Sequence, residues 1–206
     1  MKVLIACEFS GVVRDAFTSH GFDATSCDLL PSETPGKHYQ GDVLDIINDN
    51  WDILIGFPPC RYLTYAGNSA WNDPGRAKLR LDALYFFLQL WSAPVKYICL
   101  ENPNGVIPVV VAPCTQIIHP YYFGEPEMKR TGLWLKNLPL LTHAPENTLF
   151  SKKTHTEKPA PVRIQPSGKP VRFVASHNTK STRAHLRSIT FKSIAQAMAE
   201  QWSYLL

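Results

Sequence analysis

Short, mostly apolar runs alternate with stretches of helical periodicity along the first half of the chain. The runs lie at residues 3–7, 22–27, 53–55 and 95–100, and residues 41–43 are a brief further strand or the end of one. Runs of this length, bounded by turn residues, predict buried strands. A short helix is predicted after Ser10 and Gly11. This alternation indicates an α/β fold, with a mostly parallel sheet and helices on both of its faces.

The strongest helical signal covers residues 77–91. Its apolar side chains recur at helical spacing, which predicts that one stripe of the helix faces the core. The stripe consists of Leu81, Leu84, Tyr85, Leu88 and Trp91.

The pattern changes after residue 108. Residues 117–122 and 133–135 predict antiparallel strands on either side of a turn at 124–129. Residues 142–170 are rich in Pro, Lys, Thr and Ser without periodicity, which predicts a mobile excursion. From residue 188 the chain is helical again, and Ile194, Met198 and Trp202 are expected to dock on the body. We therefore divide the chain into a core at 1–140, a basic loop-rich appendage at 141–187 and a C-terminal helical segment at 188–206.

The composition narrows the class of protein. The apolar fraction of 45% is sufficient for a core, and the five cysteines are scattered without a C-x-x-C pair. This spacing argues against a disulfide framework or a zinc site, so no metal is expected. No run resembles a signal peptide or a membrane span, and we expect a cytoplasmic protein.

The charge is unevenly distributed. Residues 141–206 contain ten Lys or Arg and three Asp or Glu, whereas residues 1–140 carry a net charge of −3. A basic C-terminal third suggests a polyanionic partner such as nucleic acid. A solvated basic face would explain the same count.

Candidate binding groups follow the first three predicted strands. The turn Phe9-Ser10-Gly11 lets the backbone approach a ligand at a helix N-terminus. Asp28 lies seventeen residues beyond Gly11, a position that suits a pair of ribose hydroxyls, and Asp42 could accept from an adenine amino group. Together they suggest an adenosine-bearing cofactor. Asp28 could equally form an Asx-turn.

A thiol follows the fourth predicted strand. Asp52 opens an apolar run that ends in Gly-Phe-Pro-Pro-Cys, and Pro58 and Pro59 fix the backbone ahead of Cys60. Ligands of open α/β sheets bind outside the carboxyl ends of the strands. Cys60 is therefore a candidate nucleophile. Glu101 follows the fifth strand, either as a functional carboxylate or as a turn residue before Pro103.

In this order the motifs resemble those of the DNA cytosine-5 methyltransferases. Phe9-Ser10-Gly11 is similar to the first S-adenosylmethionine motif of that family, and Gly56-Phe57-Pro58-Pro59-Cys60 to its Pro-Cys loop. Glu101-Asn102 resembles the Glu-Asn motif, and residues 122–130 resemble a later Gly-x-Pro-Gln-x-Arg segment. Strings at residues 129–136 and 197–202 are similar to short phage- and prophage-type members.

The resemblance implies a Rossmann-like class I methyltransferase that transfers a methyl group from S-adenosylmethionine to carbon 5 of cytosine in double-stranded DNA. It implies that Cys60 forms a covalent adduct with the base and that Glu101 holds the ring, with Arg130 or Lys129 steadying the base or the thiolate. The cofactor would contact residues on four strand ends: Phe9, Ser10, Gly11, Asp28, Asp42 and Pro58. The nucleic acid would contact Arg61, Lys129, Arg183 and Arg187.

Departures from the family pattern keep other functions open. Arg61 stands where the family usually has Gln, and Val13 where a further Gly is common. Only about residues 108–186 are available for target recognition. The alternatives are the same chemistry on a free cytidine nucleotide or RNA, and a nucleic-acid- or nucleotide-binding relative that no longer turns over or acts as a decoy.

Overall fold

A seven-stranded mixed sheet forms the centre of the protein, which we describe from a computed structural model. The structure describes residues 1–65, 73–103, 105–149, 151–160, 163–164, 166–168, 170–171 and 188–205.

The strand order is β3-β2-β1-β4-β5-β7-β6. The first five strands are parallel and the last two are antiparallel, as the sequence predicts. The strands are β1 (Lys2–Ala6), β2 (Asp23–Asp28), β3 (His38–Gln40), β4 (Ile53–Gly56), β5 (Tyr97–Pro103), β6 (Gln116–Ile118) and β7 (Thr131–Lys136). A separate two-stranded ladder pairs β8 (Arg163–Ile164) with β9 (Pro170–Val171). The predicted α/β fold class is confirmed.

Helices cover both faces of the sheet. They are α1 (Val12–Ser19), α2 (Pro74–Trp91), the single turn α3 (Ile107–Val110) and α4 (Lys192–Trp202). Alternate strand residues point to opposite faces. In β1, Val3 and Ile5 therefore pack in the core of α1 and α4, whereas Leu4 and Ala6 pack in the core of α2.

The C-terminal helix docks as the sequence predicts. Ile194, Met198 and Trp202 are buried in the same core as Phe17 of α1, and the Trp202 indole donates to the Pro139 carbonyl oxygen at 3.2 Å. Within the described residues no helix is long and apolar enough to cross a membrane.

Two predictions about local structure are wrong. The core face of α2 consists of Leu84, Phe87 and Leu90, while Leu81 is 67% and Tyr85 65% exposed. This helix is apolar on two faces, so periodicity alone could not tell which one the sheet would cover. Of the two remaining residues of the predicted stripe, Leu88 is exposed and Trp91 is half-buried.

The third strand lies at His38–Gln40 rather than at 41–43. Its three residues pair with Ser26, Cys27 and Asp28 in β2. Val43, the last residue of the expected strand, begins a 3-10 turn over Val43–Asp45 that Asp42 caps. A three-residue edge strand inside a turn-rich segment has too little periodicity to be recognised from sequence.

Candidate active site at the carboxyl edge of the sheet

The parallel strands end together along one edge of the sheet. In the register, Ala6 pairs with Cys27 in β2 and with Gly56 in β4, and Gly56 pairs with Leu100 in β5. The residues that follow these four positions therefore share one edge. We call the groups at the carboxyl ends of β1, β2 and β3 the acidic half of this edge, and those at the carboxyl ends of β4 and β5 and just before β7 the thiol half.

Asp28 and Asp42 of the acidic half each accept one local backbone hydrogen bond. Asp28 Oδ1 accepts from the Leu30 amide at 2.9 Å, and Asp42 Oδ1 accepts from the Leu44 amide at 3.0 Å. Asp28 thus forms the Asx-turn that its spacing allowed. Burial, and then the charges of Asp28 and Asp42, raise the pKa of the Cys7 thiol well above its usual value. The Gly41 amide, one residue before Asp42, donates to the Asp28 carbonyl oxygen at 3.0 Å, so the two acidic residues lie close together.

The Cys27 thiol in β2 is also affected by the charges of Asp28 and Asp42. Burial is the main cause that raises the pKa of Cys27 to about 12, followed by the charges of Asp28, Asp42 and Asp45. Next to Asp28, Leu29 is 73% exposed, which leaves an apolar side chain uncovered beside a carboxylate. A ligand with both a flat apolar part and hydroxyl or amino donors would suit this surface.

The sequence position of Gly11 suggested that a ligand approaches its backbone, but the atoms closest to it belong to the protein. Its φ of 76° favours glycine, and both Ser10 and Gly11 are buried. A Cβ added at Gly11 would collide with the Thr34 hydroxyl and would lie 2.5 Å from Nη2 of Arg14. Gly11 therefore makes room for groups of the protein itself.

Glu8 occupies the N-terminus of α1. Its Oε1 accepts from the Val13 amide at 2.7 Å and from the Ser10 hydroxyl at 3.2 Å, and its Oε2 accepts from the Arg14 amide at 3.3 Å. Burial raises the pKa of Glu8, although these hydrogen bonds oppose the shift. A carboxylate that already caps the helix repels a phosphate, so this helix end is not a phosphate site.

The loop that carries Cys60 is fixed at several points. Pro58 is buried and Cys60 is exposed. The Cys60 carbonyl oxygen accepts from the Leu63 and Thr64 amides, both at 3.0 Å, which folds the chain into a tight turn directly after the thiol. The two prolines and this turn hold Cys60 between two constrained segments.

β5 and the segment after it anchor the same loop. Asn102 is fully buried, and its Nδ2 donates to the Pro58 carbonyl oxygen at 3.0 Å. The Val106 amide donates to the Leu63 carbonyl oxygen at 2.8 Å. A Cβ added at Gly105 would collide with that oxygen, so only glycine allows this close approach. The strand that presents Glu101 thus also positions the loop that presents Cys60.

Glu101 lies beside Lys129. Lys129 Nζ is 3.7 Å from Glu101 Oε1, and the side chains are 24% and 15% exposed. This distance makes an ion pair but is too long for a hydrogen bond, and among the described residues Glu101 Oε1 has no hydrogen-bond partner. Arg130, the alternative cation, is exposed. A small recess adjoins the pair, lined also by Phe57, Thr131, Thr190, Phe191, Ile194 and Met198.

Two arginines flank an aromatic ring next to Cys60. The guanidinium carbons of Arg61 and Arg76 lie 5.5 Å and 5.4 Å from the centre of the Tyr62 ring. Arg76 Nη2 also donates to the Arg61 carbonyl oxygen at 3.1 Å, which ties the first turn of α2 to the thiol loop. The predicted nucleic-acid residues Arg183 and Arg187 lie outside the described residues.

The structure thus places most of the predicted site residues at one edge and adds three that sequence reasoning did not list as site residues. Glu8 and Arg14 organise the acidic half, and Asn102 organises the thiol half. A carboxylate directly after a strand and before a helix was a possible signal for a cap. The bonds of Arg14 and Asn102 join residues 12 to 44 positions apart, so no local pattern reveals them.

Comparison with known proteins gives structural neighbours only. No protein-family model matches the chain, and no curated protein matches it. The chain is similar to a prophage-encoded E. coli structure described as a DNA modification methyltransferase, with 18% identity and a TM-score of 0.42 over 66% of this chain and 46% of that one. It is also similar to the Entamoeba histolytica methyltransferase EhMeth (18% identity, TM-score 0.45, covering 77% and 57%).

A third neighbour is a mutant of Spodoptera frugiperda DNMT2 (20% identity, TM-score 0.39, covering 76% and 55%). The chain therefore spans about half the length of the solved structures it matches. The α/β fold rests on the sheet order and register given above.

Proposed function

We propose that this chain transfers a methyl group from S-adenosylmethionine to carbon 5 of cytosine in DNA, through a covalent adduct with Cys60. One observation carries the proposal: the strand that presents Glu101 also anchors the thiol loop, through the 3.0 Å hydrogen bond from Asn102 to Pro58. A thiol and a carboxylate held in one unit can act on the same ring. They lie at the edge that also carries Asp28 and Asp42.

The acidic half fits a cofactor that contains adenosine but has no phosphate at α1. Asp28 would accept from the ribose hydroxyls and Asp42 from the adenine amino group, with exposed Leu29 against the adenine ring. Glu8 disfavours phosphate at α1. S-adenosylmethionine supplies an electrophilic methyl group on a sulfonium and carries no phosphate. The turn of Phe9, Ser10 and Gly11 and the buried Pro58 would bound this site.

The thiol half would activate the base. The Cys60 thiolate adds to carbon 6 of cytosine, and the electron pair displaced from the 5,6 double bond makes carbon 5 nucleophilic. Glu101 would hold N3 and the exocyclic amine and stabilise the charge that the addition places on the ring. Carbon 5 would take the methyl group as the methyl–sulfonium bond breaks and S-adenosylhomocysteine leaves. Loss of the carbon 5 proton to a general base would then restore the 5,6 double bond, break the Cys60–carbon 6 bond and regenerate the thiolate.

Lys129 and Arg130 would take different roles. Lys129 lies 3.7 Å from the Glu101 carboxylate, so it is placed to steady that group. Arg130 is exposed and would contact the nucleic acid. The resemblance left open which of the two residues acts beside the base, and the ion pair with Glu101 favours Lys129.

The nucleic acid would lie over the exposed side of the thiol loop. Arg61 and Arg76 place two cations beside Cys60, where a phosphate backbone supplies the opposite charge. The basic C-terminal third, including Arg183 and Arg187, would extend the contact. A base inside a duplex is unreachable, so the target cytosine must be flipped out of the stack. We expect the reaction to take place in the cytoplasm of a bacterial host.

The test is transfer of labelled methyl groups to duplex DNA, together with trapping on DNA that contains 5-fluorocytosine. We expect labelled DNA and a covalent complex through Cys60, both lost in Cys60→Ser and retained in the matched control Cys114→Ser. Transfer to a cytidine mononucleotide or RNA but not to duplex DNA would establish the alternative substrate. Absence of S-adenosylmethionine binding in calorimetry would overturn methyl transfer and leave a nucleic-acid-binding protein.

A further inference from the structure

We propose that Arg14 is a positioning residue of the cofactor site, because it fixes the 29–36 loop beside Asp28. The inference rests on the proposed function. The 29–36 loop follows Asp28 directly and carries the exposed Leu29. Whatever holds this loop also sets where Asp28 and Leu29 can meet a ligand.

Arg14 is a buried cation that is bonded mainly to this loop. Its side chain is 1% exposed and pairs with Asp15 at 2.8 Å, and Nη1 donates to the hydroxyls of Ser26 at 3.2 Å and Ser32 at 3.0 Å. Nη2 donates to the Thr34 hydroxyl at 2.6 Å and to the carbonyl oxygens of Thr34 and Pro35 at 3.2 and 3.0 Å. The planar guanidinium presents its N–H donors in a rigid arrangement that suits several fixed acceptors. A lysine ammonium lacks this arrangement.

Two glycines open the slot that Arg14 occupies. A Cβ at Gly11 would lie 2.5 Å from Arg14 Nη2, and a Cβ at Gly36 would lie 2.6 Å from Arg14 Nε and Cζ. Both glycines have positive φ values, 76° and 151°. The glycines of this edge therefore accommodate an internal guanidinium, with one on the turn after β1 and the other at the end of the 29–36 loop.

The same loop also lies directly on the turn after β1. The Glu33 amide donates to the Phe9 carbonyl oxygen at 2.8 Å, and the Thr34 hydroxyl donates to the Ser10 carbonyl oxygen at 3.4 Å. Arg14 thus links two of the segments proposed to hold the cofactor. These protein groups fix the 29–36 loop, so the acidic half is preorganised for its ligand.

The test compares Arg14→Met and Arg14→Lys with Lys37→Met. Lys37 is a matched control because it directly follows the 29–36 loop and, like Arg14, forms an ion pair, with Asp23 at 2.6 Å, but it is exposed and its partner lies at the start of β2. We expect the Arg14→Met Kd for S-adenosylhomocysteine, measured by calorimetry, to rise about tenfold or more. Arg14→Lys should be intermediate and Lys37→Met within about twofold of the parent chain.

Hydrogen exchange and a stability-matched variant separate positioning from general destabilisation. Amides 29–36 should exchange faster in Arg14→Met, whereas Phe87→Leu, in the distant α2 core, should lower the Tm without changing either the exchange of these amides or the Kd. If Arg14→Met does not fold, the double variant Ser32→Ala/Thr34→Val takes its place, because it removes two of the three hydroxyl contacts of Arg14. An unchanged Kd or unchanged loop exchange in the folded variant overturns the inference.

The outcomes distinguish this inference from the proposed function. If the parent chain does not bind S-adenosylhomocysteine or S-adenosylmethionine, the proposed function fails, and the role of Arg14 in cofactor binding fails with it. If the parent chain binds but the Arg14 variants bind equally well, only the inference fails.

Discussion

At the acidic half of the edge, the buried charged groups Glu8 and Arg14 bond to the protein itself, whereas at the thiol half Glu101 Oε1 and Asn102 Oδ1 have no hydrogen-bond partner among the described residues. A buried polar atom without a partner costs about 1–3 kcal/mol. The buried charges of the acidic half are thus bonded within the protein, and the accessible carboxylates Asp28 and Asp42 remain to meet a ligand, while the thiol half has buried polar atoms with unused bonding capacity. This difference is what we expect if the first half holds a cofactor in a fixed pose and the second half closes around a substrate.

The largest expected effect tests whether the thiol half is a catalytic centre. Replacing Cys60 with Ser exchanges the nucleophile for a much weaker one, so methyl transfer should fall by at least about a thousandfold. Cofactor affinity should stay unchanged, because the acidic half does not depend on the thiol. On the same preparation, labelled methyl transfer measures the activity that depends on the thiol half, and calorimetry measures the cofactor affinity of the acidic half. Full activity of Cys60→Ser would contradict the division of roles.

The second prediction tests whether Asn102 holds the thiol half together. Asn102→Asp replaces the donor to the Pro58 carbonyl oxygen with a buried carboxylate oxygen, which should lower the free energy of unfolding by about 3 kcal/mol or more. Asn137→Asp is the matched control, since Asn137 Nδ2 donates to the Lys96 carbonyl oxygen at 2.7 Å on the surface. Loss of this exposed hydrogen bond should lower the free energy of unfolding by about 1 kcal/mol. Urea unfolding of both variants gives the comparison, and equal losses would contradict it.

The third prediction separates the two neighbouring cations of the thiol half. Lys129→Met removes the charge beside Glu101, and we expect a fall in kcat of about tenfold. Arg130→Met should instead raise the KM for DNA, with a weaker dependence of binding on salt. Steady-state kinetics at two salt concentrations distinguish the effects. The reverse pattern would assign the catalytic role to Arg130.

The two halves also differ in how far the sequence could predict them. Cys60 follows the apolar run of β4, and Glu101 and Asp28 lie at the ends of the apolar runs of β5 and β2, so the pattern alone locates all three. Asp42 follows β3, which the pattern did not locate, since β3 lies at His38–Gln40 rather than at 41–43. What the sequence could not predict is the set of contacts between distant segments, such as Arg14 with Pro35 and Asn102 with Pro58.

The exposed face of α2 shows the same limit. Leu81 and Tyr85 fit an apolar stripe as well as Leu84 and Phe87 do, and only tertiary packing decides which stripe is buried. Gly11 provides a further case. Its positive φ was consistent with a ligand-binding turn, but the atoms that need the space belong to Arg14 and Thr34.

The smallest expected effect concerns Glu8, the carboxylate that caps α1 in the acidic half. Its pKa in the folded state is raised above the usual 4.5, mainly by burial. The folded protein therefore holds the Glu8 proton more tightly than the unfolded chain does. The resulting stability is fully present below pH 4.5 and is lost as the pH rises through the folded-state pKa. Each unit of raised pKa corresponds to about 1.4 kcal/mol.

Replacing Glu8 with Gln removes this titration and keeps an acceptor for the Val13 amide. The free energy of unfolding of the parent chain, relative to Glu8→Gln, should therefore decrease as the pH rises from 4.5 towards 7. Urea unfolding across this pH range measures the difference, with the exposed Glu200→Gln on α4 as the control. If the difference instead grows with pH, hydrogen bonding to the ionised carboxylate outweighs its burial, and Glu8 stabilises α1 most strongly in its charged form.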